Sequence, residues 1–248
     1  MWVPPRKVHD LHAKKFDGAA APVTYVFEPP PRPVVQVSGE DAAFPVHRIY
    51  CVGRNYAAHA REMGANPDEE PPFFFAKPAD AVVPGGSLIP YPSDTADLHH
   101  EVELVLAVGR GGADIGEAQA LDHVYGYAVG LDLTRRDRQA EAKAKGRPWD
   151  VAKGFDRSAP IGPILPAHAG TPSGRIRLQI DGDTRQEADL DDMIWKPAQV
   201  IAFLSRSFEL QPGDLIFTGT PEGVGPVKRG ETLTAEIDGL ETLKVTLA

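Results

Sequence analysis

The sequence predicts a mainly β fold of the α+β class, with a largely antiparallel core and a few helices at its rim. Most regular segments are apolar or alternating runs of strand length, and few have helical periodicity. Glycine and proline number 24 each, which is typical of a chain with many turns. Because hairpin signals outnumber crossover signals, a doubly wound parallel sheet is disfavoured.

The N-terminal part differs in composition from the rest of the chain. Residues 1–45 are predicted to be an arm and a lead-in segment, and residues 46–248 to be the main domain. The run Pro29-Pro30-Pro31-Arg32-Pro33 favours an extended, polyproline-like backbone. We expect residues 1–20 to be poorly ordered and residues 23–45 to form a short hairpin.

The strands of the main domain are predicted from apolar and alternating runs. In chain order they are residues 48–52, 73–76, 101–108, 125–133, 175–180, 215–218, 233–237 and 242–247. Asp181-Gly182 and Asp238-Gly239 follow such runs and have the composition of tight hairpin turns, whose backbone favours positive φ.

Three helices are predicted, and two of them have recognisable ends. The first, residues 56–63, has Asn55 as N-cap and Gly64 as its C-terminal stop. The second, residues 135–145, is closed by Gly146 and Pro148. The third, residues 197–208, carries one apolar stripe at helical spacing, formed by Val200, Ile201, Leu204 and Phe208.

Charge and cysteine content limit the function classes. The net charge of −9 and the pI near 5.4 argue against a nucleic-acid-binding surface. Cys51 is the only cysteine, which excludes an intrachain disulfide and fits the cytoplasm; within an apolar strand it is expected to be buried and inert. No apolar run is long enough for a transmembrane helix, and no signal-peptide core is visible, so no membrane partner is expected.

Three carboxylates are the most informative residues of the chain. Glu101 and Glu103 alternate on one predicted strand and therefore point to the same face. Asp132 ends another strand, on a face whose preceding residues are small and leave room beside the carboxylate. The simpler interpretation is that all three are strand residues that face the solvent. If the carboxylates are packed together, their repulsion and desolvation require a partner, and a hard divalent cation fits best.

Two pairs of polar residues lie three positions apart on predicted helices. His59 and Glu62 can form an imidazole–carboxylate pair that activates water, although a surface pair without a role is the commoner outcome. Arg136 and Gln139 can reach back toward Asp132. The rest of that second helix, Glu141, Lys143 and Lys145, is interpreted as a solvated face.

Two further segments have chemical potential. Lys153 lies between apolar residues and can position a substrate or stabilise an oxyanion, or its stem can simply cover apolar surface. The loop that begins at Thr218 is rich in glycine and can present backbone N–H groups and Thr220 to a carboxylate. It is neither a dinucleotide fingerprint nor a P-loop, and the chain has no Gly-x-Ser-x-Gly elbow.

Taken together, the motifs from about residue 49 to the C-terminus resemble the fumarylacetoacetate hydrolase family. The carrying motifs are Gly53-Arg54-Asn55-Tyr56-Ala57-Ala58-His59, Phe75-Ala76-Lys77-Pro78, His99-His100-Glu101-Val102-Glu103-Leu104, Gly130-Leu131-Asp132-Leu133-Thr134-Arg135-Arg136-Asp137, Ala152-Lys153-Gly154-Phe155-Asp156, and Gly213-Asp214 followed by Thr218-Gly219-Thr220-Pro221. Within the family, the chain is most similar to members that cleave fumarylpyruvate. The resemblance implies a mixed β-sheet roll with peripheral helices, and residues 46–248 as a catalytic domain.

The same resemblance implies a homodimer with a metal-dependent site. One Mg²⁺ or Mn²⁺ per chain would be held by Glu101, Glu103 and Asp132. His59 with Glu62 would activate water, assisted by Lys153. Substrate contacts would come from Gln139 and Thr220, and from Arg54 or Arg136 for the distal carboxylate of an acylpyruvate.

Three alternative functions are considered: another reaction on the same scaffold, a non-catalytic Ca²⁺-binding module and a dinucleotide enzyme. The same scaffold supports other acylpyruvate hydrolases, oxaloacetate decarboxylation, and isomerisation or hydration of dienoate keto acids. A non-catalytic module with a structural Ca²⁺ would not need His59, Glu62 and Lys153. A dinucleotide enzyme is disfavoured because no strand, Gly-rich turn and helix follow one another.

Overall fold

The computed structural model describes residues 25–62 and 71–248. The chain divides into two compact units, Met1–Pro31 and Arg32–Ala248. Residues 25–31 of the first unit form no helix or strand. The predicted arm, residues 1–20, and the predicted stop at Gly64 lie outside the described residues. The boundary predicted between residues 45 and 46 stays a prediction.

The second unit is rich in short strands. They are β1 Val34–Gln36, β2 Ala43–Pro45, β3 Ile49–Gly53, β4 Phe73–Lys77, β5 Val82–Pro84, β6 Leu88–Ile89, β7 Leu98–His100, β8 Val102–Val108, β9 Val124–Leu131, β10 Thr134–Arg135, β11 Ala159–Ile161, β12 Leu165–Pro166, β13 Arg175–Ile180, β14 Asp183–Asp189, β15 Leu215–Phe217, β16 Gly225–Pro226, β17 Thr232–Ile237 and β18 Leu243–Leu247.

The helices are few and lie between these strands in the chain. The α-helices are α1 Ala57–Glu62, α2 Arg136–Ala144, α3 Asp150–Lys153 and α4 Pro197–Ser207. Short 3-10 helices span Ala79–Ala81, Glu117–His123, Ala167–Ala169 and Leu190–Asp192. Among the described residues, no helix is long and apolar enough to cross a membrane.

The strands form a mixed system of sheets. The largest has the order β4-β3-β15-β8-β9-β11-β5, with β12 also paired to β9, and a second has the order β14-β13-β17-β18-β6. β1 pairs with β2 as the predicted hairpin, and β10, β7 and β16 form a small third sheet. Most pairs are antiparallel, but β3 with β15, β5 with β11, and β6 with β18 run parallel. The mainly β fold with peripheral helices is therefore confirmed.

Strand β8 is buried on both faces, because apolar layers cover the large sheet on each side. Leu104 and Leu106 belong to the larger core, together with Ile176 and Leu178 of the second sheet. Val105 belongs to a smaller core on the opposite face. Glu103 shares that second face by alternation, so the fold carries a carboxylate to the end of an apolar layer.

Two local expectations are corrected. The space beside Gly130, which was expected to be room for a carboxylate, is filled by Val105 and Phe217, whose atoms lie 2.5 and 2.6 Å from where a Cβ would be. Asn55 was expected to cap α1. Its side chain instead donates to the carbonyls of Trp195 and Thr218, both at 2.8 Å, and accepts from the N–H of Trp195 at 2.7 Å. A fully buried amide uses its bonds to join distant segments.

Candidate active site

Strand register brings the three carboxylates together. In the antiparallel pair of β8 and β9, Val102 lies opposite Leu131, so the next residues outward are Glu101 and Asp132. The N–H of Asp132 donates to the carbonyl of Glu101 at 2.8 Å. One carboxylate oxygen from each of Glu101, Glu103 and Asp132 lies within 4.8 Å of the others, and all three residues are buried.

Asp132 and Glu101 are compensated by buried cations. Asp132 Oδ1 lies 2.8 Å from Lys77 Nζ, and Asp132 Oδ2 lies 2.7 Å from Lys153 Nζ. Lys153 Nζ also lies 2.7 Å from Glu101 Oε2, and Arg136 contacts the other oxygen of Glu101. Burial opposes ionisation of Glu101, but Lys153 and Arg136 outweigh it and lower its pKa.

Glu103 differs from its two neighbours, because no cationic side chain of the described residues contacts it. Its Oε2 accepts one hydrogen bond, from the N–H of Gly219 at 2.7 Å. Burial, followed by the charges of Asp132 and Glu101, raises the pKa of Glu103 well above its usual range. The cluster therefore holds one carboxylate whose negative charge lacks a counterion.

These observations fit a divalent cation bound by the three carboxylates. Buried carboxylate oxygens are the ligands that Mg²⁺ and Mn²⁺ prefer. The ion would supply the missing charge beside Glu103. Asp132 Oδ1, although near Lys77, accepts no hydrogen bond in the described structure and so keeps a lone pair to offer.

Lys153 is fully committed within this cluster. Its Nζ lies 2.7 Å from Glu101 Oε2, from Asp132 Oδ2 and from Thr134 Oγ1, which uses all three N–H donors of an ammonium. Burial alone would lower the pKa of Lys153, but the carboxylates of Asp132 and Glu101 raise it. Lys153 therefore holds the predicted metal ligands in place, and its role as an oxyanion donor stays a prediction.

His59 and Glu62 form the predicted pair on α1. His59 Nδ1 lies 3.3 Å from Glu62 Oε2; the imidazole is buried, whereas the carboxylate is partly exposed. Burial lowers the pKa of His59, against the opposing effects of Glu101 and Glu62. At neutral pH the imidazole is thus a free base, which a group that accepts a proton from water must be.

The pH dependence of turnover should report this environment. Because burial lowers the pKa of His59 below 6.5, the acid limb of kcat/KM should lie below pH 6.5, with activity lost as His59 becomes protonated. Glu62→Gln removes a group that raises this pKa, so the limb should move to still lower pH. A pH series at saturating Mn²⁺ measures both, and a limb at or above pH 6.5 would contradict the base assignment.

Helix α2 contributes a second polar side to the site. Arg136 Nη1 donates to Gln139 Oε1 at 2.6 Å, and Arg136 Nε donates to His99 Nδ1 at 3.3 Å. The guanidinium of Arg136 also contacts Glu101, which places it beside the carboxylate cluster. Gln139 is buried beside it.

Thr220 is oriented by a buried glutamine. Gln186 Nε2 donates to Thr220 Oγ1 and to the carbonyl of Pro221, both at 2.8 Å. Gln186 Oε1 accepts from the N–H of Val102 at 3.2 Å, so the same side chain joins the loop to the carboxylate-bearing strand. Because Thr220 accepts the bond from Gln186, its hydroxyl proton can be donated into the site.

Most of the predicted site residues border one narrow, partly open cleft. Its lining residues are Val52, Gly53, Arg54, His59, Phe73, Phe75, Glu101, Glu103, Arg136, Gln139, Lys143, Trp149, Lys153 and Thr220. A buried proton acceptor, a carboxylate cluster and several cations thus face the same space. Such a site can bind an anionic substrate beside a metal ion and activate water.

Comparison with known proteins agrees with this geometry. Residues 48–248 match the family model described as fumarylacetoacetate (FAA) hydrolase, C-terminal. The chain belongs to the fumarylacetoacetate hydrolase family. The named enzymes below show that family members of similar sequence carry out different reactions.

Three similar members of the fumarylacetoacetate hydrolase family are informative. The crystal structure of fumarylpyruvate hydrolase from Pseudomonas aeruginosa, in complex with Mn²⁺ and pyruvate, is 56% identical, with a TM-score of 0.89, and the match covers 91% of this chain and 99% of that one. A fumarylpyruvate hydrolase from Ralstonia sp is 42% identical over 179 residues, 72% of this chain and 93% of that protein. The mitochondrial oxaloacetate tautomerase FAHD1 of Arabidopsis thaliana is 47% identical over 199 residues, 79% of this chain and 89% of that protein. The resemblance to fumarylpyruvate hydrolases is confirmed.

In this member of the fumarylacetoacetate hydrolase family, most of the predicted site residues line the cleft. Glu62 and Asp132 do not line it; Glu62 contacts His59, and Asp132 belongs to the carboxylate cluster. Lys143, which was interpreted as part of a solvated face, is exposed as expected and also borders the cleft.

Two residues that hold predicted site residues in place, Lys77 and Gln186, were given no role in the sequence analysis. Lys77 is buried against Asp132, and its only signal was its place in the Phe75-Ala76-Lys77-Pro78 motif. Gln186 lies on β14 with no distinguishing pattern around it.

Proposed function

We propose that the chain hydrolyses the carbon–carbon bond of an acylpyruvate, and specifically converts fumarylpyruvate into fumarate and pyruvate with one Mg²⁺ or Mn²⁺. The observation that carries the proposal is that His59, backed by Glu62, borders the same cleft as the buried carboxylates. A hydrolase needs an activated water and a place for the departing enolate, and this cleft offers both. The similarity to fumarylpyruvate hydrolases supports the choice of acyl group.

Glu101, Glu103 and Asp132 would hold the divalent ion. When bound, it would act as a Lewis acid that favours the enolate form of the pyruvyl group. Lys153 and Lys77 hold Glu101 and Asp132 in position through the ion pairs described above.

His59 would remove a proton from water, and the resulting hydroxide would add to the carbonyl carbon of the acyl group. The bond between this carbon and the pyruvyl methylene would then break, and its electron pair would pass to the pyruvate enolate. A proton returned to the methylene carbon completes pyruvate, while the acyl part leaves as a carboxylic acid. Thr220 Oγ1 already accepts a hydrogen bond from Gln186 Nε2, so its hydroxyl proton can be donated to a substrate oxygen.

Oxaloacetate chemistry is the second candidate, and one observation favours it: relatives named oxaloacetate tautomerase and oxaloacetate decarboxylase are 47% and 42% identical to this chain. Decarboxylation needs the metal and the enolate but no added water. The His59–Glu62 pair favours hydrolysis. Loss of the enol absorbance of fumarylpyruvate, measured with and without a chelator and beside an oxaloacetate assay, tests the choice.

Substrate preference provides a sharper test. We expect fumarylpyruvate to be hydrolysed with a kcat/KM about one to two decades above that of acetylpyruvate, because a distal carboxylate paired with a cation contributes roughly 1.5–3 kcal/mol. Both substrates offer the same pyruvyl group to the metal, so this end cannot discriminate. Equal kcat/KM values would replace the fumarylpyruvate proposal by a general acylpyruvate hydrolase.

The assembly and the compartment also belong to this proposal. We infer that the chain forms a homodimer, as the resemblance to the family implies. Light scattering of the purified protein would test this. A cytoplasmic location agrees with a single cysteine that is buried.

A further inference from the structure

One face of helix α2 extends from the carboxylate cluster to the mouth of the cleft. Arg136, Gln139 and Lys143 occupy successive turns of this face, at spacings of three and four residues. All three line the cleft. Arg136 contacts Glu101, whereas Lys143 lies seven residues farther along, a rise of about 10 Å.

Lys143 differs from the other cations of this helix in its partners. Arg138 pairs with Asp94 and Glu141, and Lys145 pairs with Glu141. No carboxylate of the described residues pairs with Lys143. Its ammonium lies over the ring of Trp149, 5.3 Å from the centroid, which directs it toward the cleft and away from the acidic side of the helix.

The wall next to Lys143 is aromatic. Trp149 packs against Phe73 and Phe75, with centroid distances of 5.6 and 5.8 Å. The guanidinium of Arg54 lies 5.4 Å from the Phe73 centroid. A flat, conjugated carbon chain would fit along such rings, and two cations border the same wall.

The electrostatics of this end are positive. Burial, and then the like charges of Arg54 and Arg136, lower the pKa of Lys143. Lys143 would therefore gain from an anion placed beside it. Arg136 already contacts Glu101 at the inner end, whereas Lys143 lies beside Trp149 at the outer end and pairs with no carboxylate of the described residues.

We propose that Lys143, beside Trp149, binds the second carboxylate of an unsaturated, dicarboxylic acylpyruvate whose pyruvyl end lies at the carboxylate cluster. The inference rests on the proposed function and makes it more specific. Arg136 is then assigned to the inner end, and the distal carboxylate to Lys143. Lys143 is a specificity-determining residue here, and it takes no part in bond breaking.

The test compares two saturated 2-oxo acids of equal chain length, one ending in a carboxylate and one in a methyl group. Neither can be hydrolysed, and both carry the same keto-acid end. Calorimetric titration into Mn²⁺-loaded protein gives the ratio of the two dissociation constants. It is measured for the wild type, Lys143→Met, Lys143→Arg and the control Lys145→Met.

We expect the wild type to bind the diacid about tenfold or more tightly than the monoacid, which is the range of one hydrogen bond between charged groups. Lys143→Met should bring the ratio close to one, Lys143→Arg should keep most of it, and Lys145→Met should leave it unchanged. An unchanged ratio in Lys143→Met, or no preference in the wild type, overturns the inference.

The outcome is separable from that of the proposed function. A diacid preference that depends on Lys143, without any hydrolysis of fumarylpyruvate, would support this subsite and refute the proposed reaction. If fumarylpyruvate is hydrolysed but the ratio of dissociation constants is the same in Lys143→Met as in the wild type, the proposed reaction is supported and this subsite is refuted.

Discussion

Replacing Glu103 by glutamine should abolish binding of the divalent cation and lower turnover by about three decades or more, since Lewis-acid stabilisation contributes several kcal/mol. Glutamine keeps the size of the side chain and can still accept the hydrogen bond from the N–H of Gly219. It removes only the charge that no neighbouring cation compensates. Titration with Mn²⁺, followed by activity and by thermal unfolding, measures both effects.

Although Glu103→Gln should lose metal binding and turnover, it should make the metal-free protein more stable at neutral pH. The pKa of Glu103 is raised by burial and by its acidic neighbours, so this residue opposes folding increasingly as pH rises above its unfolded pKa. Glu103→Gln should therefore be as stable as the metal-free wild type at low pH and more stable at neutral pH. Mn²⁺ should raise the unfolding temperature of the wild type only.

A matched control is Glu236→Gln, whose carboxylate pairs with Arg177 at a partly exposed position on the second sheet. It should keep both metal affinity and turnover. If Glu103→Gln binds Mn²⁺ as the wild type does, the carboxylate cluster is not the metal site.

Removal of His59 should lower kcat by about two to four decades, the range for a general base, without loss of metal binding. His59 Nδ1 and Glu62 Oε2 are 3.3 Å apart, so the carboxylate can orient the imidazole and act through it. We therefore expect the double variant His59→Ala, Glu62→Ala to be no slower than His59→Ala alone.

The comparison requires all three variants and a control histidine. His47 also faces a carboxylate, Asp214, at 2.8 Å, but it does not border the cleft, and His47→Ala should keep kcat. Losses that multiply in the double variant would show that Glu62 acts independently of His59.

Long strands were predictable because their apolar residues are buried on one or both faces. The predicted segments 101–108 and 175–180 agree with β8 and β13 to within a residue. Strands of two residues, such as β6 and β16, and the four-residue helix α3 are too short to show a period. The parallel pairing of β3 with β15 depends on contacts between distant segments, which no local pattern contains.

The site was predictable where alternation and register decide the geometry. Glu101 and Glu103 follow from the period of a strand, and the pairing of β8 with β9 then adds Asp132. Lys77 could not be predicted on physical grounds, because a lysine at the end of an apolar strand has the pattern of an ordinary strand residue until Asp132 is seen beside it. Lys143 could have been found, since it lies seven residues after Arg136 on the same helical face.

The position of β15 in the large sheet also determines when the site can exist during synthesis. β15 lies between β3 and β8, and Gly219, which follows it, supplies the N–H that Glu103 accepts. Its loop also anchors Asn55, just before the helix that carries His59. A growing chain that has emerged only as far as the middle of α4 therefore contains every carboxylate ligand but lacks the strand that joins the two halves of the cleft. The proposed metal and substrate site is therefore assembled only after β15 has been synthesised, from segments that are far apart in the chain.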